Sequence, residues 1–126
     1  MKTRWVAMAM ILGLSATGCE SMKPDKVQAA LIEDLNSVQC AQIESLNFHY
    51  KYPVSSSVQA QLNVTDIECY KRAVRKMIDT LAANGAELSV TSMYVYGQLP
   101  NGDPLSTTAF GVREKASAQE ILDQGS

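Results

Sequence analysis

At Thr65 the spacing of apolar residues changes, and that change constrains the fold more than any other feature. Before it, Val58, Ala60, Leu62 and Val64 alternate with Gln59, Gln61 and Asn63. This is the period of a strand with one face turned to a core. After it, Ile67, Tyr70, Val74, Met77, Ile78 and Leu81 recur every three or four positions, the stripe of an amphipathic helix. Glu68, Lys71, Arg72, Arg75, Lys76 and Asp79 gather on the opposite side. Glu68–Arg72 and Arg75–Asp79 are spaced as i,i+4 ion pairs. Thr65 and Glu68 form a T-x-x-E capping box that predicts the helix start, and Asn84-Gly85 predicts its stop. A one-faced strand and a one-faced helix each need an apolar partner, which makes an α+β domain the expected class.

The flanking segments extend this pattern. Leu46, Phe48, Tyr50 and Tyr52 alternate with Asn47, His49 and Lys51, and Pro53 with Ser55–Ser57 turns the chain into an antiparallel hairpin. Upstream, Pro24 and Asp25 open a helical pattern through Val27, Leu31, Leu35 and Val38, although "VQAALI" also suits a strand. Downstream, Ala86 to Tyr96 reads as a third strand with Leu88, Val90, Tyr94 and Tyr96 on one face. A loop containing Asn101-Gly102 leads to a fourth strand over Leu105 to Val112. Ser117 and Glu120 repeat the capping pattern, so residues 113–126 read as a tail or short helix. The expected order is α-β-β-α-β-β: a four-stranded antiparallel or mixed sheet with one main helix on a face. The domain is expected over residues 25–112.

The first residues are of another kind. Lys2 and Arg4 precede "WVAMAMILGL", an uncharged run of signal-peptide length and too short for a membrane span of roughly 20 residues. Ala16, Thr17, Gly18 and Cys19 follow, and this ending resembles the lipobox of bacterial lipoproteins. The resemblance implies cleavage after residue 18 and a diacylglycerol group on Cys19, with residues 19–24 as acylated terminus and tether. Each buried methylene contributes about 0.8 kcal/mol, so several acyl chains hold a chain on a bilayer. A disulfide partner, or an incidental cysteine beside an ordinary secretory cut, are the rival readings of Cys19. Glu20 stands where an Asp would signal inner-membrane retention, so the likeness points to the outer membrane, facing the periplasm.

Without residues 1–18, the 126-residue chain leaves 108, enough for one modest core. That processed chain loses Lys2 and Arg4 from 11 basic residues and keeps all 13 acidic ones, a formal charge of −4. A nucleic-acid binder would be basic, so none is expected as partner. Cys40 and Cys69 remain, and an oxidising compartment favours pairing them. The loop closed is about 29 residues, worth roughly 3–4 kcal/mol in the chain-entropy account. The competing reading is a reactive Cys69 in the first turn of a helix, without the C-x-x-C spacing of a redox motif.

From Cys40 to Val95 the chain carries "CAQIESLNF", an amphipathic helix, and "AVRKMIDTLAANGAELSV" leading into a strand. This is similar to small outer-membrane lipoproteins of the enterobacterial type, including the sensors of the Rcs envelope-stress relay. Their helix commonly ends in an alanine-rich stretch before a valine-rich strand. Ala82, Ala83, Gly85, Ala86 and Glu87 occupy that place here. The relay sensors have further cysteines after the helix and a long proline-rich tether, both missing from this chain.

Catalytic signatures are sparse. His49, the single histidine, cannot build the usual zinc ligand sets, and no metal or cofactor is expected. There is no G-x-S-x-G and no phosphate-binding glycine loop. Two features suit binding. Phe48, Tyr50, Tyr52, Tyr94 and Tyr96 form an aromatic row that either stacks sugars or stabilises the sheet. Lys71, Arg72, Arg75 and Lys76 form a basic helix face that either meets anionic headgroups or an acidic partner, or is a solvated, ion-paired surface. The expectation is a non-enzymatic, lipid-anchored envelope protein that binds another envelope protein in sensing, assembly or scaffolding. The alternative is a ligand-binding module or inhibitor acting on peptidoglycan or a lytic enzyme.

Overall fold

The computed structural model describes residues 23–51 and 55–125. The leader, Cys19 and Tyr52 lie outside these described residues. Helix α1 (Pro24–Asn36) is followed by β1 (Ala41–Lys51) and β2 (Ser55–Val64). Helix α2 (Ile67–Ala83) leads through a 3-10 turn at Leu88–Val90 into β3 (Thr91–Gln98). A short β4 (Pro104–Leu105), a second 3-10 turn at Thr107–Phe110 and helix α3 (Ala118–Gly125) complete the order. The sheet is mixed, in the order β1-β2-β3-β4. β1 and β2 form the antiparallel hairpin, and α2 carries the chain over so that β3 runs parallel to β2. The segment that suited either helix or strand is helix α1, begun by Pro24 at its first position, where a missing N–H costs nothing.

Alternation places Leu46, Phe48, Val58, Ala60, Leu62, Met93 and Val95 on one side of the sheet, all buried. Val27, Leu31 and Leu35 of α1 and Tyr70, Val74, Met77, Ile78 and Leu81 of α2 complete one core with them. Thr80 Oγ1 donates to Asp34 Oδ2 at 2.5 Å, tying the two helices. Tyr70 is fully buried, and its hydroxyl donates to the Val95 carbonyl at 2.6 Å. Burial pushes its phenol above the ordinary tyrosine value. That packing depends on Gly97, where an added Cβ would lie 2.8 Å from Tyr70 Cδ1.

The predicted disulfide is present: Cys40, just before β1, is bonded to Cys69 in the first turn of α2, with Cα atoms 6.0 Å apart. The α2 cap sits one residue later than the spacing suggested. Thr65 N still donates to Cys40 O, extending the hairpin pairing, so Asp66 becomes the cap and accepts from Cys69 N at 2.8 Å. At the other end Gly85 has φ 88°, Gly85 N donates to Ala82 O, and Ala86 N donates to Leu81 O. This is the Schellman ending that Asn84-Gly85 predicted.

The strands after α2 differ from expectation. β3 begins at Thr91 rather than Ala86 because Leu88–Val90 coil into the 3-10 turn. Its buried positions are Thr91, Met93, Val95 and Gly97, so Tyr94 and Tyr96 face away from the core. The fourth strand shrinks to two residues. Ser106 Oγ accepts from Thr108 N, and Gly111 at φ 83° closes the 3-10 turn at Thr107–Phe110, so local side-chain bonds replace a ladder. The C-terminal segment is a docked helix. Ser117 N donates to Glu120 Oε1 at 2.9 Å and Glu120 N to Ser117 Oγ at 3.1 Å, the reciprocal box, with Ala116, Ala118 and Ile121 buried.

The rims of the sheet carry their own contacts. Phe48 N, on β1, donates to Gln28 Oε1 of α1 at 3.0 Å. On the other side β3 pairs with β4 at Gly97–Leu105, while Met93 N donates to Ala116 O at 2.9 Å beside a Ser92–Ser117 bridge.

Candidate functional site: the open face of the sheet and the basic face of the helix

With the helices packed on one side, the other side of β1, β2 and β3 forms a continuous surface. Register builds it in rows: Ser45–Gln61–Tyr96, Asn47–Gln59–Tyr94 and His49–Ser57–Ser92. Adjacent strands lie about 4.8 Å apart, so each row is about 10 Å across. Every one of these side chains is exposed or half-buried. None of the nine carries a full formal charge at neutral pH, counting His49 as neutral. At one end the bulged residue Glu44 accepts from Asn63 Nδ2 at 2.7 Å. Beside β3, Lys115 Nζ lies 6.0 Å from the centre of the Tyr94 ring, a cation–π distance.

The aromatic row is therefore divided. Phe48 and Tyr50 point to the core side with Val58 and Ser56, and Phe48 is 4% exposed. Tyr94 and Tyr96 alone, among the described members of the row, stand on the open face. They are two residues apart on one strand, so their rings rise from the same side about 7 Å apart. His49 shares this face. Among the described residues no group of three or more His, Cys, Asp or Glu is placed to hold a metal ion.

The basic face of α2 is likewise partitioned. Lys71 Nζ and Arg75 Cζ lie 5.8 and 5.6 Å from the centre of the Phe110 ring. Arg72 Nη1 approaches Cys40 Sγ at 3.4 Å. Arg72, Arg75, Lys76 and Asp79 form one wall of a groove of about 640 Å³, and Ser37, Val38, Gln39 and Cys40 form the other. The pattern of charges along α2 announced the cations but not this groove, because its second wall is the α1–β1 connection. A second hollow, of about 590 Å³, lies between Ile67 at the start of α2 and Leu99-Pro100 in the β3–β4 loop. Ile67 is 45% exposed there.

Arg113, before α3, and Glu120, in its first turn, form an ion pair at 3.1 Å. The Ser117 N–H, and after it the Arg113 guanidinium, hold the Glu120 carboxyl below the usual carboxylate range. No described helix is long and apolar enough to cross a membrane. No protein family, curated protein or solved structure matches the chain.

Proposed function

We propose that this chain is a lipid-anchored protein of the bacterial outer membrane, facing the periplasm, whose domain binds another envelope protein through the open face of its sheet. The observation that carries the binding role is the composition of that face. A sheet surface meant only for water needs hydration, which charged side chains supply well. Here amides and hydroxyls surround Tyr94 and Tyr96 across three strands. Such a surface is cheap to desolvate compared with a charged one, and tyrosine is enriched where proteins meet. The anchor rests on the leader and Gly18-Cys19. Four residues, Glu20 to Lys23, then separate Cys19 from α1. Fully extended they reach about 14 Å, so the domain would work close to the leaflet.

Two experiments test the parts separately. Metabolic labelling with a clickable palmitate is expected to mark the wild type and not Cys19→Ser; equal labelling overturns the anchor. A photo-crosslinking residue at Gln61 is expected to trap a discrete protein adduct in living cells, and one at the buried Leu62 is expected to trap none. Failure of Gln61 to trap any protein, with or without envelope stress, overturns the binding role.

A second reading has its own observation. Tyr94 and Tyr96, at strand spacing and surrounded by amides, suit stacking and hydrogen bonding to a sugar chain such as peptidoglycan, or contact with an enzyme that cuts it. Tyr94→Ala with Tyr96→Ala would then abolish co-sedimentation with cell-wall sacculi or inhibition of lysozyme while the fold persists.

A further inference from the structure

We propose that the groove between α2 and the α1–β1 connection is a second binding site, specific for a carboxylate-bearing segment of a protein partner. This deepens the protein-binding role proposed above and rests on it for the class of partner. Three cations, Arg72, Arg75 and Lys76, share the α2 wall of this groove of about 640 Å³ with a single carboxylate, Asp79. The 126-residue chain carries a net charge of −2, so this local excess runs against the charge of the whole. Opposite the cations, Ser37 and Gln39 contribute neutral polar groups. Arginine presents a planar fork that matches a carboxylate in two parallel hydrogen bonds.

The groove is also held in shape. Cys40 stands in one wall, and the bond to Cys69 fastens that wall to α2 one turn before Arg72. Arg72 Nη1 already lies 3.4 Å from Cys40 Sγ, in the opposite wall. One of the three cations thus has a position defined by a contact within the groove, which reduces its ordering cost on binding.

Shape separates a peptide from a lipid surface. A flat leaflet meets convex basic patches, whereas these cations line a concavity that a side chain can enter. Position agrees. The groove lies at the C-terminal end of α1, whose 13 residues extend about 20 Å from the end where the tether enters.

The test uses the full chain in detergent and a fluorescent decapeptide alternating Asp and Glu with Gly and Ser, read by anisotropy. The expected result is binding at least tenfold tighter than that of the same peptide with Asn and Gln in place of its acids. Arg72→Ala with Lys76→Ala is expected to weaken it at least tenfold while thermal melting stays near wild type. Asp79→Asn is expected to tighten it several-fold. Equal binding of the acidic and amide peptides overturns the proposal, as does an unchanged affinity of the double variant. Phosphatidylglycerol vesicles that bind wild type and displace the peptide identify a lipid occupant and also overturn it. Inorganic phosphate that displaces the peptide at equal concentration shows a simple anion site and overturns the peptide assignment. Crosslinking from Gln61, repeated in the double variant, keeps the two readings apart. An adduct that survives while the acidic peptide fails to bind removes the groove proposal and leaves the open face standing.

Discussion

The two faces of the sheet are made from the same three strands and alternate residue by residue, yet they obey different chemistry. On the helix side Phe48, Val58 and Met93 line up across the strands, all 4% exposed or less. One step along each strand, Asn47, Gln59 and Tyr94 line up on the other side. The first row contributes stability by leaving water. The second contributes little stability and leaves an amide and phenol surface available. Stability and the proposed binding role thus fall on alternate residues, and substitutions on the two faces should have different consequences.

The largest effect is expected from the pair Leu62→Ala and Gln61→Ala. Leu62 is 1% exposed, and its truncation should cost about 2–5 kcal/mol in a denaturant melt. Gln61→Ala should stay within about 0.5 kcal/mol; comparable losses would mean that the open face is covered in solution. Next is the covalent tie. Replacing Cys40 and Cys69 together by Ala should lower stability by about 3–4 kcal/mol, with a matching drop in wild type under reductant. A melt insensitive to reductant would show that the bond is not formed.

Gly97→Ala sharpens the comparison from inside β3. The new methyl meets Tyr70 at 2.8 Å, and relieving that overlap should cost about 1–3 kcal/mol. Ser92→Ala, on the open side of the same strand, should be close to neutral in the same melt. Melting as stably as wild type would mean that Tyr70 can shift without loss. The smallest effect lies away from both faces, at Glu120. Its carboxyl titrates lower in the folded chain than in the unfolded one. The associated stability is therefore present above the unfolded carboxylate value and disappears as pH falls through the depressed folded one. Melting curves of wild type and Glu120→Gln should converge in acid and separate towards neutral pH, with wild type the more stable. Parallel curves across that range would refute the linkage.

Much of this fold is legible in the residues, and the failures have local causes. The stripe of α2, the hairpin and the disulfide follow from spacing and cysteine number. In β3 the run Met93-Tyr94-Val95-Tyr96 is apolar at every position, so alternation cannot say which side turns inward. That choice is made by neighbours: Gly97 must lie against Tyr70, and Thr91 must reach Ser56, whose hydroxyl oxygen is 2.8 Å from Thr91 Oγ1. The fourth strand failed because Ser106-Thr107-Thr108 can satisfy the backbone locally. Ser117 and Glu120 announced α3, but its docking through Ala116, Ala118 and Ile121 depends on small residues that carry little pattern. At the candidate sites, the tyrosines and basic residues were visible as types. Their division between faces, and the groove beside Cys40, exist only once non-adjacent segments meet.

The contacts at the sheet's borders have a consequence for how anything else can join it. Gln28 occupies the Phe48 amide on one rim, and β4 with the Ala116–Ser117 segment takes up positions along the other. At these positions the backbone groups are already taken, so a foreign strand cannot extend the ladder there. A partner of the kind proposed would meet side chains broadside at these stretches, and the same contacts keep copies of the chain from zipping together along them.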